Sequence, residues 1–472
     1  MRELLALCGY EKKEIENQLP RIQKAFHKLN ITDRDIAGAK QRLTEYFEVN
    51  LSGFRKLLGV YMRELINFML AVEEKGKRVY NTLPSLSSAL GSAAALADDG
   101  IYAGFPSILL LMVYHGLFEK MAPVWEAAEK TVLTPAGAHC GCNRCKAGGH
   151  LLNLIPVPDL QLSWGICCDE AAKVDEYLSE VYDVPIVTVN RIMDENADEQ
   201  FLFPDRSVGY LAEELRKAMD RISEVIGKKV TEEMLWQCLL EGRKYMQTIE
   251  RIMRLVVEAD PVPVSITTMW YVFMMYLCGP SRENVARLQD AVDTILRETK
   301  ERVERGEGYY EKGAPRVTMF FPSFVDPAIA RFIKEVGLAM PIVELDWFPG
   351  GALMPDLGET LQPDPYHIIA KGMFSVPLIG SLKQRAAHFT AAIRNYHIDG
   401  VLGLFPYACR PIAGDALALK DAIRKEMDIP VIVLEGDVYD DRRYPVEVIR
   451  TRIESFAEMC KIYRMSREEN AA

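Results

Sequence analysis

Six of the ten cysteines stand in three tight groups: Cys140, Cys142 and Cys145 in HCGCNRC, Cys167 and Cys168 in GICCDE, and Cys409 in PYACRP. Thiolates are soft ligands, suited to zinc, copper(I) and iron–sulfur centres. Six in one place exceed what one zinc or one ordinary cubane takes. The other four, Cys8, Cys238, Cys278 and Cys460, are scattered singly in apolar, helical settings. Taken alone, the CxCxxC run suits a zinc ion as well as an iron–sulfur centre. Gly141 lies inside it and Gly148-Gly149 behind it, and glycine lets a backbone bend closely around an inorganic group. Cys167 and Cys168 are neighbours, and successive side chains of an extended chain point apart. Such a pair serves two metals more easily than one; otherwise one thiol is a ligand and the other a buried bystander. Cys409 reads as a ligand or as an ordinary buried thiol, and Arg410 beside it as a counter-charge or a solvated side chain. His139, His150 and Glu170 are the nearest titratable groups, candidate catalytic residues for a proton relay. Surface or structural roles for them stand equally open. Asp437, Asp440 and Asp441, with Arg442 and Arg443, read as a surface charge cluster.

Several chemistries find no motif. The chain has no GxxxxGK[ST] for ATP phosphates, no GxGxxG after a strand and no HExxH. A net charge of −11, without a dense basic block, argues against nucleic acid. MRELLALCGYEKKE has too short an apolar run for a secretion signal, so the thiols are expected to stay reduced in a cytoplasm. The uncharged stretch 262–279 is expected to be a buried core helix rather than a membrane span.

The elements that must hold the cysteines alternate. Residues 1–77 read as helical, with Thr32 or Asp33 as a cap and apolar residues at helical spacing over 54–72. RVYNTLP, TVLTP, DLQLSW and VPIVTVN then read as strands, with a helix over 107–130. Residues 206–305 are helical again, and Ser281 is a reasonable N-cap before the last of these helices. RVTMFF, PIVELDW, DGVLGLF and IPVIVLEGD follow as short β-branched runs separated by helices over 327–336, 383–397 and 416–427. The expected fold is α/β: two Rossmann-like parallel-sheet domains with additional helical segments. The expected division is a helical segment 1–77, an α/β domain 78–205, a helical connector 206–305 and a second α/β domain 306–472. The two halves are similar in kind, with no residue-level repeat. Cys167 and Cys168 follow DLQLSW, and Cys409 follows VLGLF. Loops at the carboxyl ends of parallel strands form the usual crevice, so the cysteines are expected in the cleft between the two domains.

The sequence resembles the 2-hydroxyacyl-CoA dehydratase / benzoyl-CoA reductase family over roughly residues 78–465. The resemblance rests on Cys142 to Ala147 (CNRCKA), Pro156-Val157-Pro158-Asp159, a strand and Cys168, then Asp399-Gly400-Val401 leading to Cys409 and Ala413-Gly414, and the acidic segment after 431. The segment from Gly279-Pro280 to Glu307-Gly308 is similar too. It implies an iron–sulfur cluster on Cys142, Cys168 and Cys409, with electrons from a separate ATP-hydrolysing iron–sulfur activator. ATP would then belong to the partner, in keeping with the missing Walker motif. The additional thiols Cys140, Cys145 and Cys167 resemble the double-cubane branch, in which two 4Fe-4S cubanes share a sulfide as an 8Fe-9S cluster with three cysteines each. That branch implies a homodimeric, oxygen-sensitive, cytoplasmic iron–sulfur oxidoreductase acting on a small unsaturated molecule. The alternatives are a dehydratase or aryl-CoA reductase subunit with one 4Fe-4S cluster, and an electron-transfer or cluster-carrier protein.

Overall fold

The computed structural model describes residues 1–82, 88–133, 139–166, 168–192, 205–320, 326–344, 364–374, 381–406, 408–443 and 446–471. Among these residues lie two all-parallel sheets embedded in helices. The first has the order β2-β1-β3-β4, with β1 Lys77–Asn81, β2 Ile101–Gly104, β3 Leu160–Gly165 and β4 Ile186–Asn190. The second has the order β5-β6-β7, with β5 Val317–Phe320, β6 Gly400–Pro406 and β7 Val431–Gly436. The chain is thus an α/β protein with two parallel-sheet units. Both β1 and β3 are buried along most of their length, as helices on both faces require.

Three sequence expectations are corrected. The four-residue strand β2, IYAG, is too short to have stood out. Residues 131–133 of TVLTP form a turn, in which the Thr131 hydroxyl donates to the Ala128 carbonyl at 2.6 Å and accepts from the Leu133 amide; the rest of that run lies outside the described residues. Residues 341–344 of PIVELDW are not a strand, and 345–347 lie outside the described residues. Pro341 has no amide to offer a ladder. The chain runs beside β5 earlier, through a bridge between Arg316 and Ala339.

The two units share a few equivalent polar pairs that the sequence reading did not find. In the first, the Arg78 amide donates to the Asp159 carboxylate and the Asp159 amide donates to the Arg78 carbonyl. In the second, Arg316 and Asp399 exchange the same two bonds. Lys146, on the helix before β3, pairs with Asp175 on the helix after it. Arg385, on the helix before β6, pairs with Asp415 on the helix after it. Cys168 and Cys409 cap the helices that follow β3 and β6. The match escapes a sequence search because it consists of a few polar pairs within otherwise unrelated packing.

The helical expectation for 262–279 is met by a buried helix, Ile266–Cys278, capped by Ser265. No helix among the described residues is long and apolar enough to cross a membrane. Thr32 caps Asp33–Tyr46, and Asp35 closes a capping box with it. Ser281 does not cap through its side chain. Its hydroxyl and amide donate instead to Glu64, which also accepts from Asn284 at 2.6 Å. Burial raises the Glu64 carboxyl to about 7 in spite of these bonds. A carboxyl raised on folding adds stability while both states are protonated, and that stability is lost as pH climbs from the unfolded value through about 7. Chemical denaturation across this window should show a decline of roughly 2–4 kcal/mol assignable to this group, and Glu64→Gln should flatten it. An unchanged pH profile in Glu64→Gln would refute the assignment.

Candidate functional site

The structure sets thiols at the starts of three helices. Cys140 is the N-cap of the helix Gly141–Leu151, which carries Cys142 and Cys145 in its first turns. Cys168 is the N-cap of Asp169–Tyr182, and its sulfur accepts from the Ala171 amide at 3.4 Å. Cys409 is the N-cap of Arg410–Glu426. Cys167 lies outside the described residues. A helix start presents free amides and a positive dipole end, which favours thiolate over thiol. Cys168 and Cys409 follow the carboxyl ends of β3 and β6, one in each unit.

The glycines have another task than the one expected of them. Gly148 and Gly149 are helical and serve packing. A Cβ on Gly148 would lie 1.8 Å from the Val124 carbonyl oxygen, and one on Gly149 would meet the Ile155 side chain at 2.6 Å. Gly148 lets the Gly141 helix press against Ala122–Glu129, and Gly149 lets it meet Ile155 and Leu110.

Cys140, Cys142 and Cys168 act on one another. Burial raises the Cys140 thiol well above its usual range, and Cys142, Glu170, Asp437 and Cys168 raise it further. Burial carries Cys142 to about 12, against the opposing pull of Lys146 and with a further push from Cys168. Cys168 is raised mainly by burial. Tyr439 joins the second unit to this group: burial and then Cys142, Cys140 and Cys409 raise its phenol. Cys145 is fully buried in the main apolar core, and its thiol is raised by burial and then by Cys142.

Two buried cations lie among these thiols. Lys146 donates to Asp175 at 2.9 Å, and Asp175 also accepts from Thr82 and Ser163. Burial opposes the lysine's charge, but Asp175 and Cys142 hold its pKa above the ordinary value. Arg144 is 1% exposed and pairs with Asp440 at 2.7 Å, Asp437 at 3.0 Å and Glu129 at 2.7 Å. Asp437 and Asp440 are therefore not a surface cluster: both are buried, while Asp441 stays partly exposed. Asp437 accepts from the Gly141 amide at 2.8 Å, so the segment after β7 is tied to the start of the cysteine helix. Arg144 and Lys146, adjacent to cysteines, were visible only as motif letters in the sequence, and nothing there distinguished Asp437 and Tyr439 from surface residues.

Of the proton-relay candidates, two come together and one does not. His139 Nδ1 and Glu170 Oε1 are 2.8 Å apart, with His139 partly exposed and Glu170 buried beside Cys140. His150 lies eight residues beyond Cys142, about 12 Å along the helix. Its ring packs on Tyr182 with centroids 5.1 Å apart, and burial lowers its pKa to about 4. It is a core histidine. Cys140, Cys142, Cys145, Cys168 and Cys409 do not line the open concavity of about 870 Å³ at the amino ends of β5 and β6, which Arg316, Asp399 and Arg467 border.

A family model described as 2-hydroxyglutaryl-CoA dehydratase, D-component, matches residues 111–460. The chain belongs to this family. It is 21% identical to the (R)-2-hydroxyglutaryl-CoA dehydratase subunit alpha of Acidaminococcus fermentans, over 64% of this chain and 61% of that protein. It is 22% identical to the (R)-phenyllactyl-CoA dehydratase alpha subunit of Clostridium sporogenes, over 65% of this chain and 71% of that one. The lactoyl-CoA dehydratase subunit alpha of Anaerotignum propionicum is 17% identical, over 65% of this chain and 70% of that one. The match to the first relative thus covers less than two thirds of its length. All three matches are to alpha subunits of dehydratases.

The donor set fits an iron–sulfur group. Cys168 and Cys409 start helices after the strands β3 and β6, Cys140 starts the helix that carries the buried Cys142 and Cys145, and burial raises the Cys140, Cys142 and Cys168 thiols, which disfavours bare thiolates there. A cationic centre offsets that cost when it binds. Among the described residues no three His, Cys, Asp or Glu side chains are close enough to share one metal ion.

Proposed function

We propose that this family member is a low-potential iron–sulfur reductase, in which Cys140, Cys142, Cys145, Cys167, Cys168 and Cys409 hold an 8Fe-9S double cubane. What supports the reading is that Tyr439, packed on Gly141 at the start of the cysteine helix, feels Cys140 and Cys142 of one unit and Cys409 of the other, while Cys168 acts on Cys140 and Cys142. The bound cluster supplies low-potential electrons, delivered by a separate ATP-hydrolysing activator. The chain's own residues then set the terms. Burial excludes water from the sulfurs. Lys146 and Arg144 keep positive charge beside an anionic group. Each two-electron reduction of an unsaturated bond consumes two protons, and the His139–Glu170 pair leads from partial exposure to Cys140. We place the active form in an anaerobic cytoplasm as a homodimer.

A second reading has its own support: the curated relatives are dehydratase subunits, which favours a single 4Fe-4S cluster and a 2-hydroxyacyl-CoA substrate. Metal and sulfide analysis after anaerobic purification separates the two. About eight irons per chain supports the double cubane, and about four assigns the single-cluster reading. Cys140→Ser, Cys145→Ser and Cys167→Ser should each lower the iron content in the first case and leave it intact in the second. Zinc without iron would overturn both. Turnover of an acetylene- or hydrazine-like compound with activator and ATP, set against dehydration of a 2-hydroxyacyl-CoA, decides the chemistry.

A further inference from the structure

The segment after β7 enters the thiol group with a fixed shape. Asp437 Oδ1 accepts from the amides of Tyr439 at 2.9 Å and Asp440 at 3.3 Å, closing a tight turn. The other oxygen of Asp437 accepts from the Gly141 amide and from Arg144. The turn is therefore pinned to the start of the cysteine helix at two points. Its packing there is close: a Cβ on Gly141 would lie 3.1 Å from the Tyr439 Cβ and 3.0 Å from the Asp440 amide nitrogen. Gly141 stands between Cys140 and Cys142, so the tyrosine is laid against the two thiols from the opposite unit. Among the described residues its phenol has no hydrogen-bond partner, whereas its amide is held by Asp437. The polar groups pinned nearby are already engaged, Asp437 by three amides and Arg144, Asp440 by Arg144 and Arg442.

We propose that Tyr439 is a hydrogen-bond donor to the ligand sulfurs, its neutral phenol set by the Asp437 turn among Cys140, Cys142 and Cys409. The proposal rests on the reading of those cysteines as cluster ligands. A donor to sulfur stabilises the more negative, reduced state and so raises the reduction potential. Tyr439 is thus a device by which the second unit tunes electrons held largely by the first.

The test is a dye-mediated reductive titration followed by EPR, on anaerobically purified wild type and Tyr439→Phe, with iron counted in both. Tyr439→Phe should bind the same iron and shift the one-electron reduction constant about tenfold toward the oxidised form, about 59 mV more negative. A 3,5-difluorotyrosine at position 439, a stronger donor of the same shape, should shift it the other way. Equal iron with an unmoved potential in both variants overturns the role of Tyr439 and leaves the ligand reading intact. Loss of iron in Tyr439→Phe together with an unmoved potential in the fluorinated protein makes Tyr439 a packing residue and overturns the proposal. A wild type that takes up no iron overturns the ligand reading and the proposal together.

Discussion

Arg144→Met is expected to lower the unfolding free energy by about 3–5 kcal/mol, the largest stability loss of any single change considered for this protein. The reason is the state it leaves behind. Arg144 pairs with Asp437, Asp440 and Glu129, and the first two are almost wholly buried. Asp440 keeps Arg442 as a partner at 2.8 Å, but among the described residues Asp437 keeps only amide donors. An unpaired buried carboxylate protonates or rearranges, and either outcome loosens the tie from β7 to Gly141. Urea unfolding of wild type and variant, both without metal, measures the loss. Adding Asp437→Asn to Arg144→Met should recover part of it, because the stranded charge is then gone. A loss below about 1 kcal/mol, the usual value of an exposed ion pair, would show that the network is solvated and not structural.

Gly148→Ala should cost about 3 kcal/mol by overpacking, although it adds a single methyl group. The new Cβ would fall 1.8 Å from the Val124 carbonyl oxygen, which is backbone and has no rotamer to escape into. The two helices must part, and Cys142 and Cys145 move with the one that carries them. Iron uptake should fall together with stability, which separates this variant from a surface change. Gly414→Ala is the control: a Cβ there meets nothing within 4 Å, and no loss is expected. Thermal melts and iron content of the two variants side by side check both statements.

The strands were legible where apolar, β-branched runs were long enough. DLQLSW, VPIVTVN, DGVLGLF and IPVIVLEGD all became parallel strands, since a strand covered by helices on both faces must be apolar throughout. IYAG and the stretch around Ala339 were not legible, because a short edge segment gains its place from its neighbour's hydrogen bonds and not from its own composition. Ser281 looked like a cap by its position before a helix, but Glu64, buried in the middle of the helix Ser52–Glu74, was the stronger acceptor. His139, His150 and Glu170 were equal in the sequence. Only the fold showed that one helix turn direction carries His150 away into the core while His139 meets Glu170.

The sequence by itself determined the α/β class, the placement of Cys168 and Cys409 behind strand ends, and the family to which the chain belongs. These rest on local features: residue periodicity, spacing and motif order. Tertiary structure decided what surrounds the cysteines. It buried Arg144 and Lys146 against acids from distant segments, turned an apparent surface run of aspartates into the pin that holds Gly141, and laid Tyr439 of one unit against thiols of the other. The physical reason is that a charge or a phenol acquires its role from what excludes water around it, and those neighbours come from other elements, for Arg144 nearly three hundred residues away.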